Sequence, residues 1–336
     1  MRQRGRVASV LGPGVIHGFE ALGWPRSGTG GFDAAVEKLR STADLLALGY
    51  SNTELARLSR SGALVRVRRG AYDLAPDDDP AEVHRRLTRA TSRQVSAEAV
   101  VSHMSAALLH SLPWWPADLT RVHFTRDRPG GGKVRDGTHI HVAPLPAEEV
   151  VAVDGLLVTS PARTVVDLAR CLPMEKAVSI GDAALRRGLA QTELIPVIER
   201  CGGWRGMTAG RRAVGFLDGR SESVGESCSR VGLWRMGLPP PELQYPVVDE
   251  DGRLLGRTDF CWEDFRTLGE FDGKVKYGRL LKPGQTAGDV LFDEKRREDA
   301  MRAQVWQMVR WIWDDLQRLD PLEARIRRAF ERHRRR

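Results

Sequence analysis

The spacing of hydrophobic and polar residues divides the chain into three regions with different predicted elements. In the first, 32–76, apolar residues three or four positions apart predict short helices, and Ser51 followed by Glu54 is typical of a helix start. The alternating run 63–68 and the returning run 71–74 predict a β-hairpin. We therefore expect three short helices and a hairpin, which is the arrangement of a winged helix.

The second region, 80–218, mixes helical and strand periodicities. Its pattern predicts helices over 96–110 and 160–171 and strands near 120–125 and 138–142. The remainder of this region is expected to be mostly helical. The sequence thus predicts a mixed α/β middle region.

The third region, 221–336, begins with a predicted helix that ends at Met236. Three predicted antiparallel strands follow and end near Tyr277, and then come a helix over 293–303, a strand within 305–313 and a basic final helix. This order predicts an α/β/α sandwich. The chain as a whole is expected to be of the α/β (α+β) class.

Composition and length agree with an ordinary globular protein of 336 residues, 41% hydrophobic and 29% charged. No stretch approaches the ~18 consecutive apolar residues of a membrane span, which excludes an integral membrane protein. The basic, glycine-rich segment 1–31 lacks the unbroken apolar run and cleavage site of a signal peptide, so we expect a disordered leader. The four cysteines are widely spaced, which favours reduced thiols in a cytoplasmic protein.

The net charge of +8 favours polyanionic partners, above all nucleic acid. In a winged helix the last helix enters the major groove of DNA and the hairpin contacts the backbone or the minor groove. A solvated polar face is the alternative explanation, but arginines outnumber acidic residues five to two in 51–74. The residues predicted to contact DNA are Asn52, Thr53, Arg57 and Arg60 on the helix and Arg66, Arg68 and Arg69 on the hairpin.

Four sequence blocks in the first two regions resemble AbiEi-type antitoxins. They are LLALGYS from Leu45, LVRVRRGAY from Leu64, VSHMSAAL from Val101 and TSPARTVVD from Thr159. The resemblance implies an operator-binding repressor of a type IV toxin–antitoxin system. It also implies a nucleotidyltransferase-type toxin, or the transcript of that toxin, as a partner beside DNA.

Acidic residues are concentrated on the predicted strands of the third region. A hairpin turning near 264–265 places Asp259 opposite Glu270, where like charges repel, and Asp272 follows two residues later on the same face. Lys274 or a divalent cation such as Mg²⁺ would balance them. The alternative is a slipped register with every carboxylate solvated. For Glu226, the alternative is an exposed ion pair with Arg230 four residues on.

The same residues resemble a PD-(D/E)XK nuclease domain of the very-short-patch-repair-like type, which has a restriction-endonuclease-like fold. The motifs are Ser223-x-x-Glu226, Gly256-Arg-Thr-Asp259 and Gly269-Glu-Phe-Asp-Gly273. The resemblance implies Glu226, Asp259 and Glu270 as metal ligands, Asp272 as a further ligand and Lys274 as the residue assisting the attacking water. The family's lysine lies two residues after the second acid, which fits Lys274 when counted from Asp272 but not from Glu270.

Two further patterns have structural explanations. His103 and His110 lie seven residues apart on one face of the predicted helix, where packing or capping is expected and metal ligation is the alternative. Arg163 and Asp167 are spaced for an ion pair within a helix.

Three functional hypotheses follow. The first is a transcriptional repressor of antitoxin type whose nuclease-like domain serves binding. The second is a Mg²⁺-dependent DNA endonuclease or nickase directed by the winged helix. The third is a protein-binding partner of a toxin.

Overall fold

The computed structural model describes residues 39–73, 79–135, 137–273 and 306–334. Eleven α-helices and three β-sheets lie in these residues, which confirms the α+β class. They divide into two compact units, the second of which consists of Ser160 onward together with Ser111–Pro113. This division falls inside the region 80–218. The predicted leader, the first helix expected before residue 39 and the helix expected over 293–303 lie outside the described residues.

The first unit begins with a small three-stranded sheet and two helices, which we call the hairpin module (residues 39–73). Its core is formed by Leu45, Leu55 and Leu64. Both helices begin with capping boxes, in which Ser41 and Ser51 exchange hydrogen bonds with the acid three residues later. The elements are β1 (Arg40–Ser41), α1 (Thr42–Ala47), α2 (Asn52–Arg60), β2 (Val65–Arg68) and β3 (Ala71–Asp73), with sheet order β1-β3-β2.

A six-stranded mixed sheet completes the first unit, in the order β6-β7-β5-β4-β9-β8. Val101, Val122 and Phe124 are central to its core. The elements are α3 (Pro80–Ser92), β4 (Val100–Val101), α4 (His103–Leu109), β5 (Val122–Arg126), β6 (Lys133–Arg135), β7 (Thr138–Val142), β8 (Val150–Val153) and β9 (Leu156–Thr159).

The prediction of one helix over 96–110 is wrong in its first half. Val100 and Val101 form a short strand that pairs with β5 on one side and β9 on the other. Both valines are buried, and β-branched side chains fit a central strand better than the start of a helix. Only His103–Leu109 is helical. The strands predicted near 120–125 and 138–142 are confirmed.

The second unit opens with four helices, as expected: α5 (Pro161–Ala169), α6 (Met174–Arg186), α7 (Gln191–Arg200) and α8 (Met207–Gly215). The predicted ion pair within α5 is confirmed, because Arg163 Nε lies 2.8 Å from Asp167 Oδ2 and both side chains are fully buried. Arg170 also contacts Asp167, at 3.1 Å. All four cysteines of the chain are free thiols.

A four-stranded sheet follows α9 (Val224–Arg235). The predicted meander is present as β10 (Glu242–Val248), β11 (Leu254–Trp262) and β12 (Thr267–Phe271), and β13 (Gln307–Trp311) adds to β12 in parallel. The chain continues with α10 (Trp313–Gln317) and α11 (Leu319–Arg334). None of the helices in the described residues is long and apolar enough to cross a membrane.

Helices α9 and α11 cover the same face of this sheet. Leu233 of α9 and Ile326 of α11 pack in one core with Phe260 and Trp311 of the strands. Because strand side chains alternate, Cys261 and Leu268 point to the opposite face and form a separate cluster there. The second helical layer of the predicted α/β/α sandwich would come from 293–303, so this part of the fold stays a prediction.

Glycine at position 225 lets α9 approach β12 closely. A Cβ atom built on Gly225 would lie 1.9 Å from a ring carbon of Phe271. This close approach matters for the site described below, because Glu226 follows Gly225 on the helix and Glu270 precedes Phe271 on the strand.

We expect Gly225→Ala to lower the free energy of unfolding by about 1–3 kcal/mol, because the added methyl group forces Phe271 to move. Gly215→Ala is the matched control: it also lies in a helix, and its Cβ would have no neighbour within 4 Å. That change should be neutral or stabilise by up to about 1 kcal/mol. Urea denaturation of both variants tests this, and equal effects would contradict the packing argument.

Candidate functional site

The polar face of α2 carries the predicted DNA-contacting residues. Asn52, Thr53, Arg57 and Arg60 are all exposed, whereas Leu55 on the other side of the helix is buried. The Ser51 hydroxyl accepts a hydrogen bond from the Glu54 backbone N–H, and the Glu54 carboxylate accepts bonds from the Ser51 N–H and hydroxyl. These bonds lower the pKa of Glu54 and keep this acid at the start of the helix.

Three more of the residues predicted to contact DNA lie on the β2–β3 hairpin, which follows α2 in the chain. Arg66 and Arg69 are exposed and Arg68 is half-buried. The expected strict alternation is interrupted by a register shift between Arg66 and Arg68. Val67 packs against the core formed by Leu39, Ala71 and Ala90.

The arginines of this surface are not consumed by internal ion pairs. None of Arg57, Arg60, Arg66, Arg68 and Arg69 forms a salt bridge with an acidic side chain of the described residues; Arg60 Nε donates only to the Ala56 carbonyl, at 3.3 Å. Five guanidinium groups within one small module therefore face solvent or lie at its edge, and this is the charge arrangement that phosphate backbones require.

A second candidate site lies in the second unit, where Glu226, Asp259 and Glu270 form what we call the acidic cluster. The ladder between β11 and β12 pairs Phe260 with Gly269, so the next position sets Asp259 opposite Glu270. This is the register expected from the sequence.

The surroundings of Asp259 change the pKa of its carboxyl group. Its Oδ2 accepts a hydrogen bond of 2.8 Å from the Phe271 N–H, which favours the charged form. Burial favours the neutral form and has the largest effect. The negative charges of Glu226, Glu270 and Glu222 act in the same direction as burial. Together they raise the pKa of Asp259 to about 7. Sequence reasoning missed Glu222, whose own carboxylate pairs with Arg257 at 2.8 Å.

The alternative of an exposed Glu226–Arg230 pair is wrong. Glu226 is only 8% exposed, and its Oε2 accepts hydrogen bonds of 2.8 Å from the Glu222 N–H and the Gln244 amide. Arg230 instead donates to the buried carboxylate of Asp182, also at 2.8 Å. Arg230 thus pairs with the buried carboxylate on α6 and not with Glu226, which lies four residues before it on α9.

Glu270 is balanced by an arginine that sequence reasoning did not assign. Arg310 lies beside Glu270 in the parallel ladder of β12 and β13, and its Nη2 is 2.8 Å from Glu270 Oε2. Asp259, Glu270 and Arg310 thus form a row across three adjacent strands. The signal available in the sequence was a basic residue on the predicted strand within 305–313.

The remaining predicted site residues stand apart from this row. Asp272 is exposed just beyond the end of β12, and it is not among the carboxylates that raise the pKa of Asp259. Lys274 lies outside the described residues. In the described part of the chain, no three carboxylates bring their oxygens within 4.8 Å of one another. The catalytic and metal-binding roles of these residues stay predictions.

Sequence reasoning also missed a group of histidines in the first unit. His103, His123 and His141 bring nitrogen atoms within 4.8 Å of one another. The sequence signal was His139-Ile140-His141 on a predicted strand, because alternate residues of a strand share one face. His110, grouped with His103 in the sequence analysis, instead lies 2.8 Å from the Thr159 carbonyl through its Nε2.

Comparison with known families identifies the class of protein that the first two regions represent. Residues 41–75 match the family model described as "Transcriptional regulator, AbiEi antitoxin". Residues 99–214 match "AbiEi antitoxin C-terminal domain". The chain thus contains regions similar to antitoxins of toxin–antitoxin systems that are transcriptional regulators, which confirms the resemblance of those regions. The nuclease relationship of 221–336 stays a prediction.

Individual relatives add no functional information. The uncharacterized proteins MT2308 and Rv2248, from two strains of Mycobacterium tuberculosis, are each 36% identical to this chain over 160 residues. The match covers 44% of this chain and 59% of theirs. A crystal structure of RV2827C protein from Mycobacterium tuberculosis is 16% identical and covers 57% of this chain and 74% of that one, with a TM-score of 0.35. That likeness is too distant to support an argument.

The raised pKa of Asp259 predicts a pH-dependent stability. Between about pH 4 and pH 7 the folded protein keeps a proton that the unfolded chain has lost, so the free energy of unfolding falls as pH rises through this window. Asp259→Asn cannot ionise and should match the wild type near pH 4. It should be more stable by about 1–3 kcal/mol at pH 8.

Denaturation at several pH values measures this difference. Asp251→Asn, which removes one negative charge at an exposed turn, is the control. A difference between Asp259→Asn and the wild type that does not grow between pH 4 and pH 7 would contradict the assignment.

Proposed function

We propose that this chain is a cytoplasmic, DNA-binding transcriptional repressor of the antitoxin type. The observation that supports the proposal most is the set of five arginines on α2 and the β2–β3 hairpin without acidic partners in the described residues. The module that carries them is also the segment similar to a transcriptional regulator.

The two parts of this surface suit different contacts with DNA. Asn52, Thr53 and Arg57 lie in the first two turns of α2, and amide and guanidinium groups pair with the edges of adenine and guanine in the major groove. The hairpin arginines suit phosphate groups, which position a protein without reading sequence. In this proposal, α2 of the hairpin module is the reading helix of a winged helix.

The hairpin is fastened to the rest of the first unit. The Gln94 side-chain amide, just beyond α3, donates a hydrogen bond of 2.9 Å to the carbonyl of Arg69 at the hairpin turn. Arg86 of α3 lies 2.6 Å from Asp73 at the end of β3, and both side chains are nearly fully buried. A hairpin held at its turn and at its base presents its arginines with little loss of conformational freedom on binding.

A toxin of the nucleotidyltransferase type, or its transcript, is proposed as the second partner. This part of the proposal follows from the similarity of residues 41–75 and 99–214 to AbiEi antitoxins, and it assigns no surface.

Mg²⁺-dependent DNA cleavage by the third region is the second candidate function. The observation in its favour is Asp259, whose pKa is raised to about 7 by burial and, to a smaller extent, by neighbouring carboxylates. Against it, the guanidinium of Arg310 already balances Glu270. We therefore propose that the nuclease-like region serves binding.

We expect Arg57→Ala to weaken binding to the operator by about 1–3 kcal/mol and to reduce the preference for operator over scrambled DNA. Arg68→Ala should weaken binding to both DNAs equally and reduce the salt dependence of log Kd by about one. The measurement is fluorescence anisotropy, at several salt concentrations, with labelled duplexes from the region upstream of the coding sequence. Arg220→Ala, which removes an exposed arginine paired with Asp218, is the control. Unchanged binding by both hairpin-module variants would refute the proposed interface.

A plasmid assay separates regulation from cleavage. Because Arg310 balances Glu270, we expect supercoiled plasmid to stay intact when it is incubated with the purified full chain and Mg²⁺. Nicking that requires Mg²⁺ and is abolished by Asp259→Ala, but not by the exposed control Asp251→Ala, would establish the endonuclease instead.

A further inference from the structure

Four imidazole rings from three elements meet on one face of the six-stranded sheet. They belong to His103, His123, His139 and His141, which we call the imidazole cluster. The ring of His141 stacks between those of His103 and His139, with centroid distances of 3.7 and 3.8 Å. The centroid of His123 is 5.3 Å from those of both His139 and His141. Four of the chain's eight histidines are therefore gathered in one place.

The strand pattern brings these residues together. In the parallel ladder of β5 and β7, His123 lies beside His139, and His141 follows two residues later on the same face. The alternate residues Phe124 and Ile140 point into the core on the other side. The tip of α4 closes the group, because the Ser102 N–H donates to the His123 carbonyl at 2.9 Å and His103 follows directly.

His103 is held in an unusual backbone conformation. Its φ of 52° lies in the left-handed region, which a residue with a Cβ atom rarely adopts. Its Nδ1 is 3.0 Å from Ser102 Oγ. Metal-binding histidines are commonly oriented by such a contact through the nitrogen that does not bind the metal. Strain that is retained at one histidine of a converging group is typical of a functional position.

The distances suit a small cation with nitrogen ligands. Nδ1 of His123 and Nε2 of His141 are 3.0 Å apart, and three ring nitrogens from His103, His123 and His141 lie within 4.8 Å of one another. In a tetrahedral zinc site with Zn–N distances of ~2.0–2.1 Å, ligand nitrogens are ~3.3 Å apart. One pair is thus already close to that spacing. The third nitrogen lies within 4.8 Å of both, and the ring of His103, which is stacked on that of His141, has to turn toward the ion to complete the set.

We propose that His103, His123 and His141 bind one divalent cation of the zinc type. An all-nitrogen donor set favours Zn²⁺, Co²⁺ or Ni²⁺ over Mg²⁺, which prefers oxygen ligands. His123 and His141 are half-buried, whereas His103 is 3% exposed, so the fourth position lies toward solvent for water or for His139. The bound ion would cross-link α4 to β5 and β7 and would stabilise the first unit.

Metal analysis of the full chain tests the proposal. The protein is prepared without an affinity tag, treated with EDTA and dialysed against Zn²⁺ or Co²⁺. We expect one equivalent of metal per chain, a Co²⁺ spectrum without thiolate charge-transfer bands and a melting temperature that rises with Zn²⁺. A wild-type protein that retains no metal, or that binds it through cysteine, would overturn the proposal.

Matched variants locate the ion. His141→Asn should weaken metal binding at least tenfold and should remove the rise in melting temperature. His110→Asn removes a histidine that contacts the Thr159 carbonyl outside the cluster, and it should bind like the wild type. Asp259→Asn should also bind normally, because its carboxylate belongs to the acidic cluster. Undiminished binding by His141→Asn would refute the assignment.

A measurement on the wild type keeps the test decisive if His141→Asn fails to fold. In NMR spectra of the imidazole groups, Zn²⁺ should shift the signals of His103, His123 and His141, while those of His110 stay in place. Shifts confined to other histidines would overturn the proposal.

Discussion

A buried carboxylate is costly unless a proton, a cation or hydrogen bonds stabilise it, and this constraint explains several of the ion pairs in the described residues. Asp167 meets Arg163 and Arg170, Asp182 meets Arg230, and Glu270 meets Arg310. Asp259 has no comparable guanidinium contact in the described residues, and its pKa rises to about 7. The acidic cluster is therefore balanced by one arginine and, near neutral pH, in part by a proton.

The hairpin module shows the opposite use of arginine. Inside the fold, a guanidinium group neutralises a carboxylate that water no longer reaches. On α2 and the β2–β3 hairpin, the acids Glu54 and Asp73 are engaged by Ser51 and Arg86 instead. The excess positive charge of the chain is thereby left at the surface of the module. A surface of this kind gains free energy from phosphate by releasing counterions, and it loses little internal stability when it does so.

Contacts between residues close together in the sequence were predicted better than contacts between distant residues. The capping boxes at Ser41 and Ser51 and the pairing of Asp259 opposite Glu270 follow from spacings of three residues and from one short loop. The strand at 100–101 and the Glu270–Arg310 contact could not be predicted in the same way. Each depends on which strand lies alongside, and the paired residues of β12 and β13, such as Glu270 and Arg310, are 40 positions apart in the chain.

The imidazole cluster and the acidic cluster show why a fold does not determine a function. The order of the acidic residues resembles a nuclease motif, and an arginine on the neighbouring strand lies 2.8 Å from one of them. Apart from His103, the histidines belong to no pattern considered in the sequence analysis, yet the parallel pairing of β5 with β7 gives them the convergence that the carboxylates lack. What a side chain can do chemically depends on the residues that the sheet places beside it. A motif along the chain contains only one of the two residues in such a contact.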